Sequence, residues 1–173
     1  MNRTTLAREI YRVANIKGNF TLRSGIQTSE YFDKYLFEAQ PDLLLEIAKQ
    51  LELLIPDNID ALAGLEMGGI PIATALSLRT GMPLVFVRKE AKAYGTCKLA
   101  EGVTVAGKKL LIIEDVVTSG GAVVEAVKQL RNLGAEINYA FCVIDRESTG
   151  RQNLQDIGVA FKPLFTKSYL EST

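Results

Sequence analysis

The sequence predicts an α/β fold with a mostly parallel central sheet flanked by helices. Three observations carry that reading. From Ile59 onward, short apolar segments alternate with amphipathic stretches of helix length. The run Leu110–Ile113 (LLII) is continuously apolar, as suits a strand buried on both faces. Charge or glycine follows four of the predicted strands, at Glu66–Gly69, Arg88–Lys89, Glu114–Asp115 and Asp145–Glu147, and sheets of this kind bind ligands beyond their carboxyl ends.

The elements follow in order. Thr5–Ala14 places Leu6, Ile10 and Val13 on one face, which predicts a short amphipathic helix. Phe20–Phe32 has strand-like ends around Ser24-Gly25, the pattern of a hairpin or an extended excursion. Pro41 opens a helix whose apolar stripe is Leu44, Ile47, Ala48 and Leu51. Ile59–Gly64 reads as a strand, followed by a glycine-rich turn and a helix that closes near Gly81. Leu84–Arg88 is the next strand, and a long polar segment, Lys89–Lys108, separates it from the strand Leu110–Asp115. The helix after that strand ends near Gly134. Ile137–Asp145 and Val159–Phe165 complete the set. With 173 residues, no linker and no repeat, the chain is expected to form one domain, residues 1–173.

Composition narrows the chemistry. Twenty Lys and Arg balance twenty Asp and Glu, which argues against bulk electrostatic binding to nucleic acid or an anionic membrane. The polar start MNRTTLAREI lacks the apolar core of a signal peptide, and no apolar run reaches membrane-spanning length, so a soluble cytoplasmic protein is expected. There are two cysteines and no histidine, which removes His-based triads, His metal sites and the commonest general base.

The stretch Leu110–Val127 holds an apparent contradiction. Val117, Thr118, Ser119, Gly120 and Gly121 form a loop ahead of a helix that begins around Ala122. Free N–H groups and the helix dipole favour an anion there, and the glycines allow close backbone approach. Yet Glu114 and Asp115 stand at its mouth. The loop lacks the GxxxxGK[ST] pattern, which argues against triphosphate hydrolysis. The carboxylates make sense for a ligand with one phosphate and a neutral polar body: phosphate on the loop, ribose hydroxyls or a hydrated Mg²⁺ near the acids. A strand–turn–helix with a Thr or Ser N-cap and acidic charge near the first turn accounts for the same residues without a ligand.

IIEDVVTSGGA, Ile112–Ala122, resembles the ribose-phosphate signature of type I phosphoribosyltransferases. That resemblance implies the fold of the family, with a small N-terminal hood and a mobile loop. It implies that Glu114 and Asp115 meet the ribose hydroxyls of phosphoribosyl diphosphate, and that Val116, Val117, Thr118, Ser119, Gly120, Gly121 and Ala122 form the rest of that site. VRKEAKAYG, Val87–Gly95, is similar to the flap pattern KExKxHG of orotate phosphoribosyltransferases, with Arg88, Lys89, Glu90, Lys92 and Gly95 matching and Tyr94 at the His position. Arg88–Lys98 carries four cations and one anion, a positive stretch in a neutral chain. A solvated lysine-rich loop is the plainer explanation of that charge.

Further segments extend the likeness. FTLRSG, with Arg23, resembles the substrate-loop motif, and Tyr31-Phe32 fall where the family places aromatics near the base. GLEMGGIP, Gly64–Pro71, resembles the diphosphate loop and puts Met67 and Gly68 at the donor; some members carry Lys at the Gly68 position. Arg146, in Asp145-Arg146-Glu147, matches the Arg that meets the orotate carboxylate, and Thr118 joins it at the acceptor. An ion pair of Arg146 with Asp145 or Glu147 is the structural alternative.

The resemblance implies transfer of the 5-phosphoribosyl group from phosphoribosyl diphosphate to orotate, a step of pyrimidine biosynthesis. Lys89, Lys92 and Asp115 are the catalytic candidates, with Arg88, Lys89, Lys92 and Tyr94 on the diphosphate. Mg²⁺ is the implied cofactor, held through substrate oxygens and water with no direct protein ligand. A homodimer with shared sites is the implied assembly. Two other readings remain at this stage: a phosphoribosyltransferase for another base, and a non-catalytic regulator that binds phosphoribosyl diphosphate. Tyr94 is neutral near pH 7, titrating only near pH ~10, and supplies neither the charge nor the near-neutral acid of His.

Overall fold

The computed structural model describes every residue except Leu22, Arg23, Ser24, Ile26, Lys92, Tyr94, Thr96 and Cys97. Helix α1, Arg3–Ala14, starts earlier than the apolar period predicts, because the Asn2 side chain caps it by accepting from Thr5 N–H at 2.8 Å. Strands β1 (Asn15–Thr21) and β2 (Gln27–Phe32) pair antiparallel, the hairpin of the two readings, and the short helix α2 (Tyr35–Glu38) follows. Pro41 is the first residue of α3 (Pro41–Glu52). Its buried stripe is Leu43, Ile47, Ala48 and Leu51; Leu43 takes the place expected of Leu44, which is only partly buried.

The rest alternates. Strand β3 (Ala61–Leu65) leads to α4 (Gly69–Thr80), which ends on left-handed Gly81. Next come β4 (Leu84–Val87), β5 (Ala100–Gly102), β6 (Lys109–Val117) and α5 (Gly121–Asn132). The chain closes with β7 (Glu136–Asp145), α6 (Gly150–Asp156), β8 (Ala160–Thr166) and α7 (Lys167–Ser172). The six-stranded sheet has the order β5-β4-β3-β6-β7-β8, and its pairs are parallel except β4 with β5. Strand β5 lies inside the segment expected to be only polar loop, and its antiparallel pairing closes one edge of the sheet.

Both faces of the sheet are covered. Leu111 and Ile113 join Leu62, Phe141 and Val143 in a core with α1, α3 and α4, whereas Leu110 and Ile112 join Ala61, Ala63 and Val85 beneath α5. All four residues of the LLII run have no solvent exposure. Burying each such side chain contributes roughly 1.5–3 kcal/mol relative to exposure, which fixes β6 at the centre of the sheet. Its polar carboxyl end is thereby held at the edge where sheets of this kind bind ligands.

Candidate active site

Strand β6 runs two residues past the acidic pair, so Glu114 and Asp115 lie within the sheet's hydrogen-bonded frame. Both are buried. Glu114 Oε1 accepts from Asp115 N–H at 2.9 Å, Asp115 Oδ1 accepts from Val116 N–H, and Lys34 Nζ ion-pairs with Asp115 Oδ2. Glu38, at the end of α2, is buried beside them. Burial, followed by the charge of Asp115, pushes the Glu38 carboxyl up to about 8. The same two causes hold Glu114 well above the ordinary carboxylate range. Burial opposes charge on Lys34, but its bond to Asp115 and the charge there outweigh it and raise its pKa. Keeping the proton on Glu38 avoids two carboxylate charges in contact.

The loop between β6 and α5 has its carbonyls turned to the rear. Val117 C=O accepts from Arg146 N–H at 2.8 Å, Thr118 C=O from Gly150 N–H at 3.1 Å, and Ser119 C=O from the Asn153 side chain at 2.9 Å. Gly150 permits that approach: a Cβ there would lie 2.6 Å from Val117 Cγ1. The N-cap of α5 is left-handed Gly120, with no side-chain cap bond. The Thr or Ser cap of the ligand-free alternative is therefore not what the loop is built for. First-turn N–H groups of a helix have no intrahelical acceptor, and α5 presents them beside the acidic pair.

The turn from β3 to α4 packs its glycines against β6. A Cβ on Gly68 would lie 1.5 Å from Asp115 Oδ2, and one on Gly69 would lie 2.3 Å from Ile113 O. The space that a side chain at position 68 would need is filled by the Asp115 carboxylate. Met67, next to it, is largely exposed, and the Glu66–Met67 peptide is cis.

Two pockets lie near this end of the sheet. One, of about 220 Å³, is lined by Glu66, Arg88, Lys89, Glu114 and Ala122. Glu66 Oε1 accepts from Lys89 N–H at 2.5 Å, and Arg88 Nε lies 4.0 Å from Glu101. The other, of about 250 Å³, is lined by Tyr31, Phe32, Lys34, Val116, Thr118 and Arg146. Tyr31 packs its ring 5.5 Å from that of Phe20. The ion-pair alternative for Arg146 gives way here: Asp145 pairs with Arg151 at 3.5 Å, and Glu147 accepts from Ser168. The side chain of Arg146 remains exposed at the pocket.

The comparisons with known proteins agree with this geometry. Residues 37–164 match the phosphoribosyl transferase domain. An orotate phosphoribosyltransferase of Nocardioides sp. is 54% identical over 97% of this chain and 94% of its own, and one of Methanocella arvoryzae is 44% identical over 88% and 87%. This chain belongs to the orotate phosphoribosyltransferase family. A crystal structure of a family member from Mycobacterium tuberculosis, in complex with Fe(III) dicitrate, superposes with a TM-score of 0.89 at 28% identity, covering 97% of this chain and 98% of that one. The same bacterium's enzyme in complex with 5-phospho-alpha-D-ribosyl 1-diphosphate gives 0.85 at 25% identity over 98% of each chain.

Of the residues expected at the site, the structure brings Arg88, Lys89, Glu114 and Ala122 to one pocket and Tyr31, Phe32, Val116, Thr118 and Arg146 to the other. Asp115 and Gly68 lie against each other. Arg23, Lys92 and Tyr94 lie outside the described residues. Sequence reasoning missed Lys34, Glu38, Gly150 and Asn153. A buried acid in a four-residue helix and a lysine just before it carry no periodic signal, and Gly150 and Asn153 act through backbone groups of a distant loop.

Proposed function

We propose that the chain transfers the 5-phosphoribosyl group from phosphoribosyl diphosphate to N1 of orotate, releasing orotidine 5′-phosphate and diphosphate in pyrimidine biosynthesis. The observation that carries this is a pair of pockets near the end of β6, one holding Arg88 and Lys89 beside Glu66, Glu114 and Glu125, the other holding Tyr31, Phe32 and Arg146, which has no ion pair among the described residues. The loop Val116–Ala122 holds the 5′-phosphate with N–H groups whose carbonyls are secured behind it. Glu114 and Asp115 accept from the ribose hydroxyls. Met67 and Gly68 border the diphosphate. Tyr31 and Phe32 flank the base, Thr118 and Arg23 border it, and Arg146 pairs with its carboxylate through a planar fork.

The reaction is displacement at an anomeric carbon with a cation-like transition state. Orotate is already an anion, so no strong base is required of a chain without histidine. Arg88, Lys89 and Lys92 stabilise the departing diphosphate, with Tyr94 as a neutral donor where relatives carry His. Among the described residues no cluster of carboxylates is arranged to hold a metal, so Mg²⁺ would fit on the donor's own oxygens, where it would supply Lewis-acid neutralisation of the leaving group. Of the segment Lys89–Lys108 expected to be the flap, the part ahead of β5 is the one proposed to exclude water on closing, since β5 is paired into the sheet. The same reading takes residues 1–173 as one catalytic domain, working in the cytoplasm as a homodimer with shared sites.

The test is the loss of orotate absorbance with phosphoribosyl diphosphate and Mg²⁺, for wild type and Asp115→Asn. Turnover in the wild type, reduced about 10²-fold or more in the variant, is expected for loss of a charge at the reacting sugar. Folded wild type that leaves orotate untouched removes orotate as the acceptor.

A further inference from the structure

The ion pair between Lys34 and Asp115 joins groups of very different accessibility. The Asp115 side chain is 1% exposed and that of Lys34 is 32% exposed. A ribose approaching Asp115 from solvent therefore meets the lysine that lies on it. The lysine also lines the acceptor pocket beside Tyr31, Phe32, Thr118 and Arg146. One ammonium thus serves a carboxylate of the donor site and a wall of the acceptor site.

Its backbone is anchored. Asp33 N–H donates to Ala14 C=O at 2.8 Å, Tyr35 N–H to Asp33 Oδ1 at 3.1 Å, and Glu38 N–H to Lys34 C=O at 3.3 Å. Any relocation of the charge is confined to the four-carbon stem, whose rotatable head can exchange partners. The neighbouring hold is weak: Nζ lies 5.1 Å from the centre of the Tyr35 ring, a contact worth about 0.5–1 kcal/mol at a partly exposed site.

Asp115 sets the terms of the exchange. A buried carboxylate stripped of its counter-charge is strongly unfavourable, and Glu38 and Glu114 crowd it with further carboxyls. In the free chain the ammonium has to stay. Ribose hydroxyls donate hydrogen bonds to the same carboxylate and relieve it of that duty.

We propose that Lys34 is a positioning residue shared by the two substrate sites: its ammonium holds Asp115 in the free chain and passes to the anionic edge of the acceptor once ribose hydroxyls take the carboxylate. The inference rests on the transfer reaction assigned above. Binding of the donor then completes the acceptor pocket, adding a further cation beside Arg146. The coupling is reciprocal, so the acceptor strengthens donor binding by the same factor.

Initial rates over a grid of both substrates test this. In wild type, saturating phosphoribosyl diphosphate is expected to lower the apparent constant for orotate about 5-fold or more, within the ordinary range of coupling between sites. Lys34→Gln abolishes the interaction, and Lys34→Arg, which keeps the charge, retains it. A residue of purely structural importance would change stability and leave the interaction factor alone. Independent of any variant, a crystal structure of wild type with orotidine 5′-phosphate should show Lys34 Nζ off Asp115 and within about 3 Å of the base carboxylate or a ring oxygen. An unchanged interaction in Lys34→Gln, or a lysine still on Asp115 in the product complex, overturns the proposal while leaving the reaction intact. A wild type without orotate turnover overturns both.

Discussion

Replacing Glu38 by glutamine is expected to stabilise the chain in alkaline solution and to change it little in acid. The carboxyl moves from an ordinary value of 4.5 to about 8 on folding, through burial and then the charge of Asp115. The folded value is the higher one, so the folded state holds the proton more tightly. That contribution to stability is complete below 4.5 and is lost as pH rises through about 8. At 1.36 kcal/mol per pH unit the full change would be roughly 4–5 kcal/mol. Glu38 shares its surroundings with Asp115, Glu114 and the ammonium of Lys34, so removing one carboxyl recovers about 1–2 kcal/mol near pH ~8.5. Glutamine keeps the shape and offers Asp115 an N–H donor in place of the acid O–H. Urea unfolding of both proteins, followed by circular dichroism near pH ~5 and pH ~8.5, measures the difference, with titrating groups distant from Glu38 cancelling between the two. In thermal melts the alkaline gain corresponds to about 2–8 °C for a chain of this size. A difference that stays constant with pH, or one that favours the wild type as pH rises, would refute the reasoning.

Other consequences are as accessible. Gly68→Ala places a methyl where Asp115 Oδ2 sits, and the resulting shift of roughly 1 Å is expected to lower kcat/KM for the donor about 10²-fold with the fold retained; near-wild-type kinetics would show that the turn has slack. Arg146→Gln should raise the KM for orotate about 10–100-fold, the cost of one charged hydrogen-bonding partner, with little change in the donor constant. Equal losses for both substrates would place Arg146 outside acceptor recognition. Tyr94→His adds a group that titrates near pH ~6.5, so the pH profile of kcat should acquire a limb there; identical profiles would show that the position does not act on the leaving group.

The central architecture was readable because its causes are local. The LLII run has no polar residue and therefore has one home, a strand covered on both sides. The helices α3 and α5 carry apolar periods long enough to be seen, although in α3 the buried position proved to be Leu43 rather than Leu44. Strand β5 escaped notice because three residues, Ala100–Gly102, show no alternation and gain their strand character from pairing with β4. The acidic pair and the glycine loop were legible as chemistry at fixed spacing. Lys34 was not, since its meaning comes from a partner on another element, brought near by α2, whose four residues are too few for a helical pattern. Gly150 and Asn153 support the loop through its carbonyls, and backbone partners leave no signature in side-chain spacing.

The connection from β7 to α6 has an evolutionary consequence. Within a few residues it exposes Arg146 at the acceptor pocket, ties Val117 C=O through Arg146 N–H, and ties Thr118 C=O through Gly150 N–H. An insertion or deletion there would retune the acceptor and loosen the phosphate loop in the same event. On the assignment proposed above, exchanging the side chain at position 146 on a backbone of constant length would alter the acceptor pocket without disturbing these carbonyl ties.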